Sequence, residues 1–263
     1  MSINFSIKGR LGNAIFRYMA CSVLCIISNK KYECSNVNKD KPLKRINDQE
    51  FFLMATKLLN NEKIIMEDIN YILTEYYQHD NIYKLFKDQI IEFVNNNRDH
   101  IIITDGINAG DGRYQIYKMY DIVNTNINFN KKYKNVLHIR LDDFVYHNLY
   151  LNVDRIIKLL KKNIINDNLC IVCKKCETSF EKNYLNTIKS YLENNNIAWY
   201  IESNDTITDY YIMKESEILI CSKSTLSWCA AFFSNTIKQC YLPDYIEKQS
   251  MTCKNPINNT ILY

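Results

Sequence analysis

Glycine is scarce in this chain, 5 residues in 263. Neither the G-x-G-x-x-G dinucleotide fingerprint nor the G-K-[ST] ending of a P-loop occurs, so those two phosphate cradles are excluded. Long apolar runs are missing too. No uninterrupted stretch reaches the roughly 18 to 20 residues that a membrane span needs. The nearest approach, IFRYMACSVLCIIS from Ile15, carries Arg17 and follows a strand-like start, so it reads neither as a span nor as a signal peptide. An excess of one charge is also lacking. The net charge of +4 is mild and scattered, which argues against a nucleic-acid partner and suits an anionic small molecule. There is no internal repeat and no low-complexity tract; the NNN runs starting at Asn95 and Asn194 are helix ends.

Cysteine is plentiful by contrast, with 10 residues, many in apolar runs where a thiol serves as a small hydrophobe. This suits reduced thiols in a cytoplasmic setting, or a host's cytoplasm if the chain is viral. The abundance of Asn, Lys, Ile and Tyr fits an AT-rich genome of a bacterium or a large DNA virus. Cys170, Cys173 and Cys176 form a C-x-x-C-x-x-C, but zinc needs a fourth ligand and no His or Cys lies close by. The expectation is buried strand and turn thiols, and no metal.

INFSIK alternates like a strand, and LGNAIFRYMACSVLCIIS continues at helical spacing, which places GRLGN in a strand-to-helix turn. From Pro42 to about Asn97 the pattern is helix-like, HIIITDGI returns to strand, and Gly106, Gly110 and Gly112 mark a loop. After Tyr133, strands alternate with helices: NVLHIRLDDF, VDRIIKLLKKNII, NLCIVCKK, FEKNYLNTIKSYLENNN, IAWYIESND, DYYIMKES, EILICS and TLSWCAAFFS. Such alternation implies βαβ units on a parallel sheet. The fold class is therefore α/β, with a more helical N-terminal domain over 1–130 and a nucleotide-binding type of domain over 131–263. The boundary falls near the polar, basic segment 127–135.

Ligands of open α/β sheets bind beyond the carboxyl ends of the strands. LHIRLDDF puts His138 and Arg140 on one strand face, with Asp142 and Asp143 just past its end. A guanidinium there suits a diphosphate; the plainer reading is an Arg paired with one of the two aspartates. ICSKSTLSW places Ser224 or Thr225 at a helix N-cap after an apolar strand, where backbone N–H groups and the helix dipole favour an anion, although most Ser caps bind nothing. At the opening turn, Gly9 and Gly12 permit tight backbone geometry, and Arg10 and Asn13 offer donors.

Four segments in order carry a family resemblance. GRLGNAIFRYMA from Gly9 is similar to GGLGNQMFQYA of the alpha-1,2-fucosyltransferases and to GRFGNQ of the protein O-fucosyltransferases. GRYQIYKMY from Gly112 resembles GYFQSEKYF, through Gly112, Tyr114, Gln115 and Lys118. VLHIRLDDF from Val136 resembles VHIRRGDY, and the segment from Glu202 to Ser234 resembles the family's closing FSDD and SNSTFSWWAAYL stretch. No motif can be placed between about Lys30 and Arg98.

The resemblance implies a GT-B architecture, two Rossmann-like domains facing a cleft, with the N-terminal one on the acceptor side and the C-terminal one binding the donor. It implies an inverting hexosyltransferase without cofactor or metal that moves fucose from GDP-fucose to a glycan hydroxyl. The implied partners are a nucleotide-sugar donor and a glycan acceptor. Arg140 would hold the donor diphosphate; His138 and Asp143 match the family's His and Asp. Ser224 and Thr225 match the Ser-Thr pair that contacts phosphate, with Ser222, Ser227 and Trp228 around them. Gly9, Arg10, Gly12 and Asn13 match the loop that closes over the donor. The acceptor base stays open between Asp143 and Asp142. Three positions depart from the pattern: Leu141 stands for the second arginine, Asp142 for the glycine and Cys229 for the second tryptophan. These departures keep two alternatives in view, another nucleotide-sugar donor and a degenerate module that binds glycan or nucleotide.

Overall fold

The structure, a computed structural model, describes residues 2–5, 9–28, 31–32, 42–60, 62, 64–67, 69–105, 114–124, 133–162, 164–165, 167–244 and 255–263. Its sheets are dominated by parallel pairing, and the chain divides into two compact units, Met1–Thr125 and Asn126–Tyr263. The loop expected at Gly106, Gly110 and Gly112 and most of the segment 127–135 lie outside the described residues.

The first unit holds β1 (Ser2–Phe5), α1 (Leu11–Ser28), β2 (Lys31–Tyr32), β3 (Leu43–Ile46), α2 (Asp48–Leu59), β4 (Asn70–Leu73), α3 (Asp80–Leu85), α4 (Lys87–Asn96), β5 (Ile101–Asp105), β6 (Tyr114–Lys118) and α5 (Met119–Asn124). Four strands form a parallel sheet in the order β2-β1-β4-β3, and β5 pairs antiparallel with β6. The stretch read as helical from Pro42 therefore contains two strands. Each is only 4 residues long, and α2 lies between them. β3 is an edge strand that exposes Leu43, Lys44 and Arg45 and buries only Ile46. Within the same stretch α2 keeps its helix, started by a capping box of Asn47 and Glu50.

Helix α1 is long and apolar enough to cross a membrane by length and composition, yet 78% of it is buried inside this unit. It is the unit's core helix, packed on the sheet, α2, α4 and β5. Its single charged residue, Arg17, is buried with the rest.

The second unit holds β7 (Asn135–Ile139), α6 (Asp142–Tyr146), α7 (Val153–Leu160), β8 (Leu169–Cys173), α8 (Ser179–Asn194), β9 (Trp199–Glu202), α9 (Thr206–Lys214), β10 (Ile218–Ile220), α10 (Thr225–Phe233), β11 (Gln239–Leu242) and β12 (Thr260–Leu262). All six strands run parallel in the order β12-β11-β10-β7-β8-β9. From β7 the chain proceeds outward through β8 to β9; it then returns to β10, on the other side of β7, and proceeds outward again through β11 to β12. The order reverses between β7 and β10. That is the topological switch point, where an open α/β sheet leaves a crevice beyond its strand ends.

Alternation along β7 decides which side chains reach that crevice. Leu137, Ile139 and Leu141 enter a core with Ile156, Leu159 and Leu160 of α7 and Leu185, Ile188 and Leu192 of α8. Val136, His138 and Arg140 belong to the opposite register.

Candidate functional site at the β7–β10 crevice

β7 and β10 pair through Ile218–Asn135, Leu219–Val136 and Ile220–Leu137, so their carboxyl ends lie side by side. Beyond Ile220 the chain passes through Cys221, Ser222 and Lys223 to Ser224, the N-cap of α10, whose hydroxyl oxygen accepts from the Leu226 N–H at 3.3 Å. Beyond Ile139 comes Arg140. Its Nη1 donates to Ser224 Oγ at 3.3 Å, which ties the two strand ends together.

The rest of the guanidinium is held by its own segment. Nη2 donates to both oxygens of Asp143 at 3.2 Å, Nε donates to Asp143 Oδ1 at 3.4 Å, and Nε lies 3.6 Å from Asp142 Oδ1. The Phe144 ring carries the Arg140 Cζ 4.4 Å from its centroid. The plain pairing of Arg140 with the following aspartates is thus present, and it coexists with the link to the start of α10. Arg140 and Asp142 are each 16% exposed in their side chains, Asp143 38%. Charged groups so shielded from water interact more strongly than a surface pair does.

His138, one turn of the pleat earlier, is buried against Ser222, with Nδ1 and Ser222 Oγ 2.9 Å apart. Burial, and after it the positive charge of Arg140, pushes its pKa down to about 3. His138 is therefore a neutral imidazole at physiological pH, and it props the β10–α10 connection rather than presenting charge. Ser227 is fully buried, and its hydroxyl donates to the Ser224 carbonyl at 3.0 Å, inside the first turn of α10. Thr225 and Lys223 are half-buried at the mouth of the turn. Trp228 stacks on Phe232 at 5.1 Å and fixes the helix from below, and Cys229 is fully buried beside it.

The sequence-predicted residues thus fall into two groups. Arg140, Asp142, Asp143 and Ser224 touch one another, with His138, Ser222, Thr225 and Ser227 around them. Gly9, Arg10, Gly12 and Asn13 belong to the first unit and form a group of their own. There α1 begins at Leu11, where the helical spacing starts in the sequence, so that Gly9 and Arg10 lie just before the helix and Gly12 and Asn13 in its first turn. Gly9 has φ +100°, a conformation that favours glycine, and a Cβ at that position would sit 3.6 Å from Asn13 Nδ2 and 3.9 Å from Arg17 Nη1.

Two contributors were not among the expected site residues. Phe144 supplies the face on which Arg140 lies. Arg17 underlies the Gly9 turn, donates from Nε to the Glu75 carbonyl at 2.9 Å and has its Cζ 5.1 Å from the centroid of the Tyr76 ring. The signal for Arg17 was present: it is the sole charge in an apolar helix, four residues after Asn13 and hence on its face.

No protein-family model and no curated protein matches the sequence. Among solved structures the chain is similar to an Arabidopsis thaliana FUT1 mutant in complex with GDP. The identity is 8%, the match covers 88% of this chain and 68% of that one, and the TM-score is 0.46. The α/β class rests on the strand order and register given above.

Proposed function

We propose that the β7–β10 crevice binds the diphosphate of a nucleotide sugar and that the chain is a glycosyltransferase, with fucose from GDP-fucose as the donor group its motifs resemble most. The observation that carries this reading is the contact of Arg140 with Ser224 across the switch point. It brings a guanidinium and the N-terminus of a nine-residue helix to one place, and both favour an anion.

In this reading the sugar leaves its diphosphate as an oxocarbenium-like centre while negative charge builds on the leaving group. Preorganised donors aimed at that charge do the main work of catalysis. Arg140 is preorganised by Phe144 and Asp142, and the α10 N-terminus by its Ser224 cap and the Ser227–Ser224 bond. An incoming diphosphate replaces Asp143, the more exposed of the two carboxylates, on the guanidinium. Asp143 is then released to take the proton of an acceptor hydroxyl, a contribution of roughly 10²- to 10⁴-fold. The reading assigns charge stabilisation to these groups and not to a metal ion, so transfer should survive EDTA.

The test is a panel of nucleotide sugars assayed for thermal shift, donor hydrolysis and transfer, with Arg140→Ala alongside the native chain. The expected result is a shift with GDP and GDP-fucose, and at least a hundredfold loss of transfer in a variant that still unfolds cooperatively. A shift from a different nucleotide alone would move the donor assignment to that nucleotide. Full activity in Arg140→Ala would place the donor elsewhere.

A further inference from the structure

In the structure two carboxylates surround one guanidinium. Asp143 holds the Nε–Nη2 edge in bidentate fashion and is the more exposed, so an anion can take its place. Asp142 differs. It opens the first turn of α6, its side chain is as shielded as that of Arg140, and its Oδ1 lies 3.6 Å from Nε. Glu181 of α8 lies within electrostatic reach of it and adds to the negative potential there. A diphosphate that displaces Asp143 thus still meets the fixed charge of Asp142 beside the guanidinium.

We infer that Asp142 is a specificity-determining residue that sets the crevice against surplus negative charge, so that a sugar-esterified diphosphate is held in preference to the free nucleoside diphosphate. This rests on the reading of the crevice as a diphosphate site. The chemical difference between the two ligands lies at the terminal phosphate. Free, it carries roughly −1.5 to −2 near neutrality; as a sugar ester it has lost its second ionisation. Repulsion from a fixed carboxylate scales with that charge. In a transferase the consequence is that the product, which gains charge as the glycosidic bond to the diphosphate breaks, is bound less tightly than the donor and leaves more readily.

The experiment measures dissociation constants by calorimetry for GDP and GDP-fucose, with UDP and UDP-glucose in parallel, on the native chain, Asp142→Asn and Asp142→Ser. Asparagine keeps the shape of the side chain, and serine, smaller and also neutral, serves if asparagine disturbs the fold. The expected result is that both variants tighten the free diphosphate about tenfold, the effect of one like charge at a partly shielded site, and tighten its sugar ester at most half as much. Product inhibition of transfer should deepen in step. Equal tightening of both ligands, no change, or weaker binding would overturn the inference while leaving the crevice a diphosphate site. Failure of the native chain and both variants to bind any of the four ligands would overturn the site reading, and the inference with it.

Discussion

Arg140 works through the side chains on its own strand face and at the neighbouring strand end, and Leu141 shows how strictly the pleat divides these from the core. The alternation of LHIRLDD was enough to place His138 and Arg140 together, and they do reach Ser222 and Ser224. What the sequence could not reveal was the fate of Leu141, which stands where the resembling family has an arginine. Its side chain is buried with Ile139 and Ile156 in the α7–α8 core. An arginine there would carry its charge into that apolar cluster. Leu141→Arg should therefore lower the urea midpoint by an amount corresponding to about 3 kcal/mol or more, without improving nucleotide binding. A variant of native stability with tighter GDP binding would show that the position faces the crevice. Pairing of Arg140 with both aspartates at once was equally beyond the sequence, since it depends on the tight entry into α6.

At the level of elements, legibility followed length and burial. The second unit's βαβ alternation could be read because β7 and β8 are fully buried five-residue strands and α8 is a capped helix of 16 residues. β3, β4 and β12 escaped notice because their pairing is set by partners distant in sequence, and β3 and β12 are edge strands that bury little. The start of α10 was legible for another reason: Ser-Thr after an apolar strand is a cap signal. Its hydroxyl does two things, accepting from Leu226 N–H and from Arg140 Nη1, and two substitutions separate them. Ser224→Ala removes the cap and should lower stability by about 1 kcal/mol. Ser224→Asp keeps a capping oxygen beside Arg140, so it should recover part of the cap's stability at this buried position, yet its charge opposes a diphosphate. GDP binding should then fall at least tenfold in Ser224→Asp, further than its change in stability accounts for. Binding that tracks stability across the two variants would mean that Ser224 acts only as a cap.

On the scale of the whole molecule, two titratable groups in the second unit, buried His138 and half-buried Asp209, pull the pH dependence of stability in opposite directions. His138 has its pKa depressed from 6.5 to about 3 by burial and by Arg140. Between those values the unfolded chain binds the proton and the folded one does not, so this group makes stability rise with pH up to about 6.5 and then level off. Asp209 of α9 has its pKa raised from 3.8 to about 7, chiefly by burial, with Asp205 and Glu202 adding to it against the hydrogen bonds from Asn204. Here the folded chain holds the proton that the unfolded one releases, so this group makes stability fall as pH rises from 3.8 to about 7. Each slope approaches 1.4 kcal/mol per pH unit at most, and in the shared window from 3.8 to 6.5 they cancel. Single substitutions should expose them separately. His138→Asn should leave a stability that declines with pH relative to the native chain across that window, whatever its absolute loss. Asp209→Asn should leave one that climbs relative to native, with its gain largest above pH 7, where the half-buried carboxylate is charged. Urea denaturation at four or five pH values reads both differences directly. Parallel curves for the native chain and either variant would mean that the group titrates alike folded and unfolded. A flat difference for His138→Asn in particular would show that the imidazole beside Arg140 is not held neutral.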